Sequence, residues 1–235
     1  MKKKLLIIGA IHGDERIGPD AVAILKRKGL GKYFDFVLGN PRAWKEKKRF
    51  CEIDLNRSFP GRKYSRIYEE RRAFEIFSVA KKYQYVIDVH EARCGKGFYM
   101  IAAREKIGGK FPVEWVDMDK ILLWPNPKGA SSELLGQSIE LEFVIKKDRK
   151  EVTKQAVEIL EKFIRKMENL PTDKINNQKR GIYYVYGSID IDEARKSWKK
   201  LKDFKATKYQ EEDFIPLLVG QYLKYGVVCY KMKKL

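Results

Sequence analysis

Three lysines lead into a short unbroken apolar run, Leu5-Leu-Ile-Ile-Gly9, the pattern of a strand buried on both faces of a parallel sheet. From Pro19 to Lys28 the apolar positions Ala21, Ile24 and Leu25 fall on one side of a helix, and Phe34-Asp-Phe-Val-Leu38 reads as a second strand. The alternation returns at Tyr64, where Ile67, Phe74, Phe77 and Val79 predict a helix as far as Tyr83, followed by a strand at Tyr85-Val-Ile-Asp-Val89. Phe98–Ala102 and Ser138–Val144 are further strands, the second alternating as a sheet face exposed to solvent would. A long helix is expected from Lys150 to Leu170, with Val152, Ala156, Ile159, Leu160, Phe163 and Ile164 in one stripe and Pro171 as its stop. That proline divides the chain into an α/β domain at 1–170 and a small β-rich domain at 171–235. The latter carries the apolar stretches Ile182–Val185, Leu217–Val219 and Tyr225–Tyr230, and its Lys-rich segment from Ala194 to Lys208 reads as a solvated helix face.

Composition narrows the class. With 44% hydrophobic and 35% charged residues among 235, the chain folds rather than staying disordered. Its longest apolar run, Leu5–Ile11, is seven residues, far short of the roughly 20 that cross a bilayer, and Asp14 and Glu15 follow too closely for a signal peptide. A cytoplasmic location, without membrane partners, is therefore expected. Fifty basic residues against 32 acidic ones give a net charge of +18, which biases partners toward anions without choosing between nucleic acid and small carboxylates. The Lys- and Glu-rich composition is also that of heat-adapted proteins, which accounts for the basicity equally well. Cys51, Cys94 and Cys229 show no paired spacing and read as reduced thiols.

The candidate chemistry begins with the two histidines of the chain, His12 and His90, each directly after a predicted strand. Functional groups gather at the carboxyl edge of an open α/β sheet, where loops vary on rigid strands. Glu15 lies three residues beyond His12 in a turn loosened by Gly9 and Gly13, so His12, Glu15 and His90 offer two nitrogens and one oxygen to a zinc ion, with a fourth position open to water. A His-x-x-Glu spacing alone is equally a surface turn with a capping acid.

Further segments sharpen the reading. Gly9-Ala-Ile-His12-Gly-Asp-Glu15, Asn40-Pro-Arg-Ala43, Arg49 with Asp54-Leu-Asn56-Arg57, and Asp88-Val-His90 resemble, in order, the signature segments of the aspartoacylase and succinylglutamate desuccinylase family, relatives of the zinc carboxypeptidases. The resemblance runs from residue 1 to about 170. It implies a zinc-carboxypeptidase-like mixed sheet flanked by helices, with a small β-rich C-terminal domain, and one zinc ion held by His12, Glu15 and His90. It implies Arg49 as the group that polarises the scissile carbonyl, and Asn56 and Arg57 as the pair that holds a substrate carboxylate. A planar guanidinium suits both tasks better than an ammonium.

Glu140, in Ser138-Ile-Glu-Leu141, matches the family's general base. Glu142 competes, because residues two apart on a strand share a face, although the acylases carry glycine at that position. A tyrosine of the family's C-terminal part closes the site, and Tyr225 or Tyr222 stands nearest that region. No arginine occurs in Lys128–Gln137, where the acylases place one for a second substrate carboxylate. The function implied is zinc-dependent hydrolysis of an amide bond in a small anionic substrate, an N-acyl amino acid. The alternatives are a metallocarboxypeptidase acting on peptides and a catalytically silent, basic nucleic-acid-binding protein on the same fold. The latter is not expected, since no aromatic–basic recognition motif is present.

Overall fold

In a computed structural model of the chain, the described residues are 3–92, 95, 97–104, 107, 110–125, 137–145, 148–175, 180–194, 196–209 and 211–235. Cys94 and nearly all of the Lys128–Gln137 segment lie outside them. Among these residues ten strands form one sheet: β1 (Lys3–Gly9), β2 (Asp35–Leu38), β3 (Tyr83–Ala92), β4 (Phe98–Ala102), β5 (Lys120–Leu123), β6 (Ser138–Val144), β7 (Gly181–Asp190), β8 (Thr207–Tyr209), β9 (Glu212–Leu217) and β10 (Val227–Lys234). Their order is β2-β1-β3-β6-β4-β5-β7-β10-β9-β8. The four strands at the β2 edge are mutually parallel, β4 runs antiparallel to β6, and β7, β10, β9 and β8 form an antiparallel ribbon. The mixed α/β sheet matches the expected fold class.

Helices α1 (Ile17–Arg27), α2 (Pro41–Glu46), α3 (Tyr68–Ala80) and α4 (Arg149–Met167) accompany the sheet. The run in β1 is apolar because both its faces are covered. Leu5 and Ile7 pack with Ala21, Leu25, Ala156 and Leu160 of α1 and α4, whereas Leu6 and Ile8 pack with Ala73 and Ile76 of α3. Each such buried aliphatic side chain contributes about 1.5–3 kcal/mol over its exposed state. Among the described residues no helix is long and apolar enough to cross a membrane.

Several expectations change in detail. The helix read from Tyr64 starts at Tyr68, and Tyr83 already belongs to β3. β3 extends to Ala92 because β6 continues to pair with it as far as Val144, so His90 lies within the strand rather than after it. β6 does not alternate toward solvent. It is a central strand, and Glu140 on its polar face is only 3% exposed, because that face lines a cavity. The Lys-rich segment forms a short 3-10 turn at Lys196–Lys200 rather than a full helix. Beyond Pro171, β7 pairs in parallel with β5, so the C-terminal strands extend the same sheet.

Candidate metal centre

The turn after β1 carries His12 and Glu15 back across the sheet edge. Gly13 makes this possible: a Cβ there would stand 2.2 Å from the carbonyl carbon of Ala43, and its N–H donates to the Arg49 carbonyl at 3.1 Å. Loop and α2 thus meet backbone to backbone. Asn40 begins α2, accepting from the Ala43 N–H at 3.0 Å, and its amide donates to Glu69 of α3 at 3.1 Å. Glu69, fully buried, also accepts the backbone N–H groups of Cys51, Glu52 and Ile53. One carboxylate therefore fixes the loop between Arg49 and Arg57 against two helices.

His12, Glu15 and His90 come together with one ligand atom of each within 4.8 Å of the others. Glu15 Oε1 lies 2.5 Å from His12 Nδ1, and Oε2 lies 3.2 Å from His90 Nδ1. Oε2 also accepts the Glu91 N–H at 3.1 Å. All three side chains are buried. Behind each imidazole stands an aspartate, with Asp54 Oδ1 3.1 Å from His12 Nε2 and Asp88 Oδ2 3.0 Å from His90 Nε2. Such carboxylates orient a ligating imidazole and raise its basicity. Two imidazoles with aspartates behind them and a shared carboxylate form a donor set that fits a divalent ion with an open position.

The electrostatics agree. Burial alone would lower His12, but Glu15 and the Asp54 contact outweigh it, and His12 is raised above its usual value. Burial likewise opposes the charge on His90, yet Asp88 and Glu15 hold it well above the usual imidazole value. Glu15 and Asp54 lie well below the usual carboxylate range, because the imidazoles they face overcome the cost of their burial. A cation held here would displace protons from the two imidazoles, so its binding would strengthen as pH rises.

Arg49 reaches the cluster, its Nη1 3.6 Å from Glu15 Oε1 and its Nη2 3.4 Å from Asp54 Oδ2. Asn56 and Arg57 sit on a 3-10 turn, Leu55–Arg57, whose start is capped by Asp54 through the Asn56 N–H at 3.0 Å. They line a cavity of about 660 Å³ together with Glu140, Glu142, Tyr222 and Tyr225. In the β3–β6 register Glu140 stands opposite Asp88 and Glu142 opposite His90. Burial pushes the Glu142 carboxyl up to about 7, with Glu15 and Glu140 adding to the effect and His90 opposing it. The Arg57 guanidinium lies 6.0 Å from the centre of the Tyr222 ring. Tyr225 is 55% exposed at the cavity mouth.

Every candidate site residue named from the sequence is thus close to the cluster or on the cavity wall. Sequence reasoning missed Asp54, Asp88 and Glu69 as supporting groups. Asp88 had a signal, since it lies two residues before His90 on the same strand face. The partners of Glu69 are dispersed along the chain and left none.

A mixed α/β sheet with a His–Glu–His cluster at the carboxyl edge of its parallel strands defines a domain with a possible metal site beside a cavity. Residues 1–111 match the family model of the succinylglutamate desuccinylase/aspartoacylase catalytic domain. The family is one of hydrolases acting on N-acyl amino acids. A probable aspartoacylase of Prochlorococcus marinus (strain MIT 9301) is 30% identical over 44% of this chain and 40% of its own length. The chain therefore aligns with about two fifths of that curated relative. Among solved structures, murine aminoacylase 3 superposes with a TM-score of 0.74 at 18% identity, covering 99% of this chain and 95% of that one. The succinylglutamate desuccinylase of Chromobacterium violaceum gives 0.77 at 13% identity, covering 100% and 85%. At these identities the structures share the fold.

Proposed function

We propose that this protein is a zinc-dependent hydrolase that cleaves the amide bond of a small carboxylate-bearing substrate, an N-acyl amino acid. The observation that carries the reading is the convergence of His12, Glu15 and His90, with an aspartate behind each imidazole and Arg49 alongside. A bound zinc supplies Lewis-acid polarisation of the carbonyl and acidifies a water. His12, Glu15 and His90 would hold it. Arg49 presents a permanent charge toward the oxygen that becomes negative as the carbonyl is attacked. Arg57 and Asn56, on the cavity wall, hold the substrate carboxylate, for which a guanidinium offers paired donors.

Glu140 takes the proton from the attacking water and returns it to the leaving nitrogen, so one carboxylate serves both steps. A second assignment of the base has its own support. Glu142 stands opposite His90 and is pushed up to about 7, the range in which a general base works best at neutral pH. Tyr222, beside Arg57, is better placed than the exposed Tyr225 to close the site around a substrate. A cytoplasmic setting completes the reading, in keeping with three cysteines that lack paired spacing.

The test is a rate screen of zinc-loaded protein against N-acetyl, N-succinyl and N-formyl amino acids, with short peptides alongside. Release of the free amino acid from at least one acyl derivative is the expected result. Release of C-terminal residues from the peptides alone would replace this reading with a carboxypeptidase.

A further inference from the structure

The cavity that Arg57 lines is mostly acidic. In a chain of net charge +18, its described lining carries four carboxylates, Glu140, Glu142, Asp190 and Asp192, against the single guanidinium of Arg57. Asp190 ends β7 and Asp192 lies in the turn after it, so both reach the cavity from the antiparallel ribbon. Aromatic rings line the same cavity, Tyr222 beside Arg57 and Trp124 and Tyr230 further along. Trp124 and Tyr230 meet edge to face with centroids 4.4 Å apart, and Tyr222 is 6.0 Å from Tyr230 and 6.1 Å from Tyr225. Aromatic faces and carboxylates around one hollow are the chemistry that recognises an organic ammonium, through ring quadrupoles and charge pairing together. Across β4 and β6, Tyr99 is the direct partner of Glu142 on this face of the sheet. It is completely buried, and its hydroxyl has no hydrogen-bond partner among the described residues.

Resting on the hydrolase reading, we propose that the substrate is the amide of a diamino acid. Its carboxylate meets Arg57 beside Tyr222, and its second, free amino group projects as an ammonium toward Asp190, Asp192 and the rings of Trp124 and Tyr230. A dicarboxylic substrate would instead bring its second carboxylate against these acidic groups.

Calorimetric titration of the zinc-loaded protein with L-lysine, L-norleucine and L-aspartate tests this without requiring turnover, since lysine and norleucine are nearly the same shape and differ in the terminal charge. Lysine should bind about tenfold more tightly than norleucine, and N-acetyl-lysine should exceed N-acetyl-norleucine in kcat/KM by a similar factor. The double variant Asp190→Asn, Asp192→Asn removes two exposed charges at the cavity mouth and should reduce the lysine advantage to about threefold or less. Equal binding of lysine and norleucine, tighter binding of aspartate, no binding of any of the three, or a lysine advantage unchanged in the double variant would each overturn the proposal. Selective lysine binding without hydrolysis of any acyl amino acid would refute the hydrolase and leave the ammonium site standing.

Discussion

Around the cluster on the parallel strands, polar side chains are held from several directions, whereas the wall supplied by residues 181–230 meets the same cavity with aromatic rings and exposed acids. Glu15 touches both imidazoles and a backbone N–H. Asp54 serves His12, Arg49 and the Asn56 N–H at once. Glu91 accepts from the first N–H groups of α1 and from Arg149 of α4. Across the cavity, Asp190 is partnered by Ser188 of its own strand at 3.3 Å, and Tyr225 stands 55% exposed. Metal ligation and proton transfer fail with displacements of a fraction of an ångström, so their residues must be over-determined. Selectivity for a substrate arm tolerates looser geometry.

Substitutions in the first region should therefore act far more strongly than those in the second. The largest effect is expected for Glu140→Gln, which should retain metal and lower kcat by roughly 10² to 10⁴; a fall in Glu142→Gln with Glu140→Gln active would move the base two residues along the strand. Next come the supporting aspartates. Asp54→Asn and Asp88→Asn should each weaken zinc binding by about 10- to 100-fold in competition with a chelator, and unaltered affinity in both would show that they do not orient the imidazoles. Glu69→Gln leaves buried N–H groups poorly matched and should cost about 1–3 kcal/mol in denaturant unfolding. At the small end, Arg62→Ala breaks an exposed pair with Glu70 at 2.8 Å and should leave the denaturant midpoint essentially unchanged.

The same contrast predicts a pH dependence for the metal-free protein. Burial raises Glu142 from 4.5 to about 7, so its contribution to stability is complete below pH 4.5 and is lost as pH rises through about 7. His12 and His90 are also raised. Their contribution is present below 6.5 and disappears as pH climbs past their elevated values. Glu15 and Asp54 are lowered and act in the opposite sense, their contribution complete above the ordinary values of 4.5 and 3.8 and lost progressively as pH falls below them. Metal-free protein should therefore have a lower Tm at pH 8 than at pH 6, with zinc restoring it. A higher metal-free Tm at pH 8 would contradict the charge assignments.

Much of this was legible in the residue pattern. The observed β4 and β6 coincide with the strands read from hydrophobicity, and the apolar run of β1 foretold a strand covered on both faces. The convergence of His12, Glu15 and His90 could be read because only two histidines were available and both stand near strand ends. Period-two alternation misled in β6, since polar residues facing a buried cavity look the same in sequence as polar residues facing water. Asp54 escaped because its contact with His12 spans 42 residues. The pairing of β7 with β5 escaped as well, since a proline after a long helix marks the end of that helix and says nothing of where the next strand docks.

Elemental analysis of the purified protein beside His12→Ala and His90→Ala addresses the central claim most directly. The account predicts about one zinc per chain, lost in both variants while the fold, followed by circular dichroism, is retained. Equal zinc in all three proteins would contradict it.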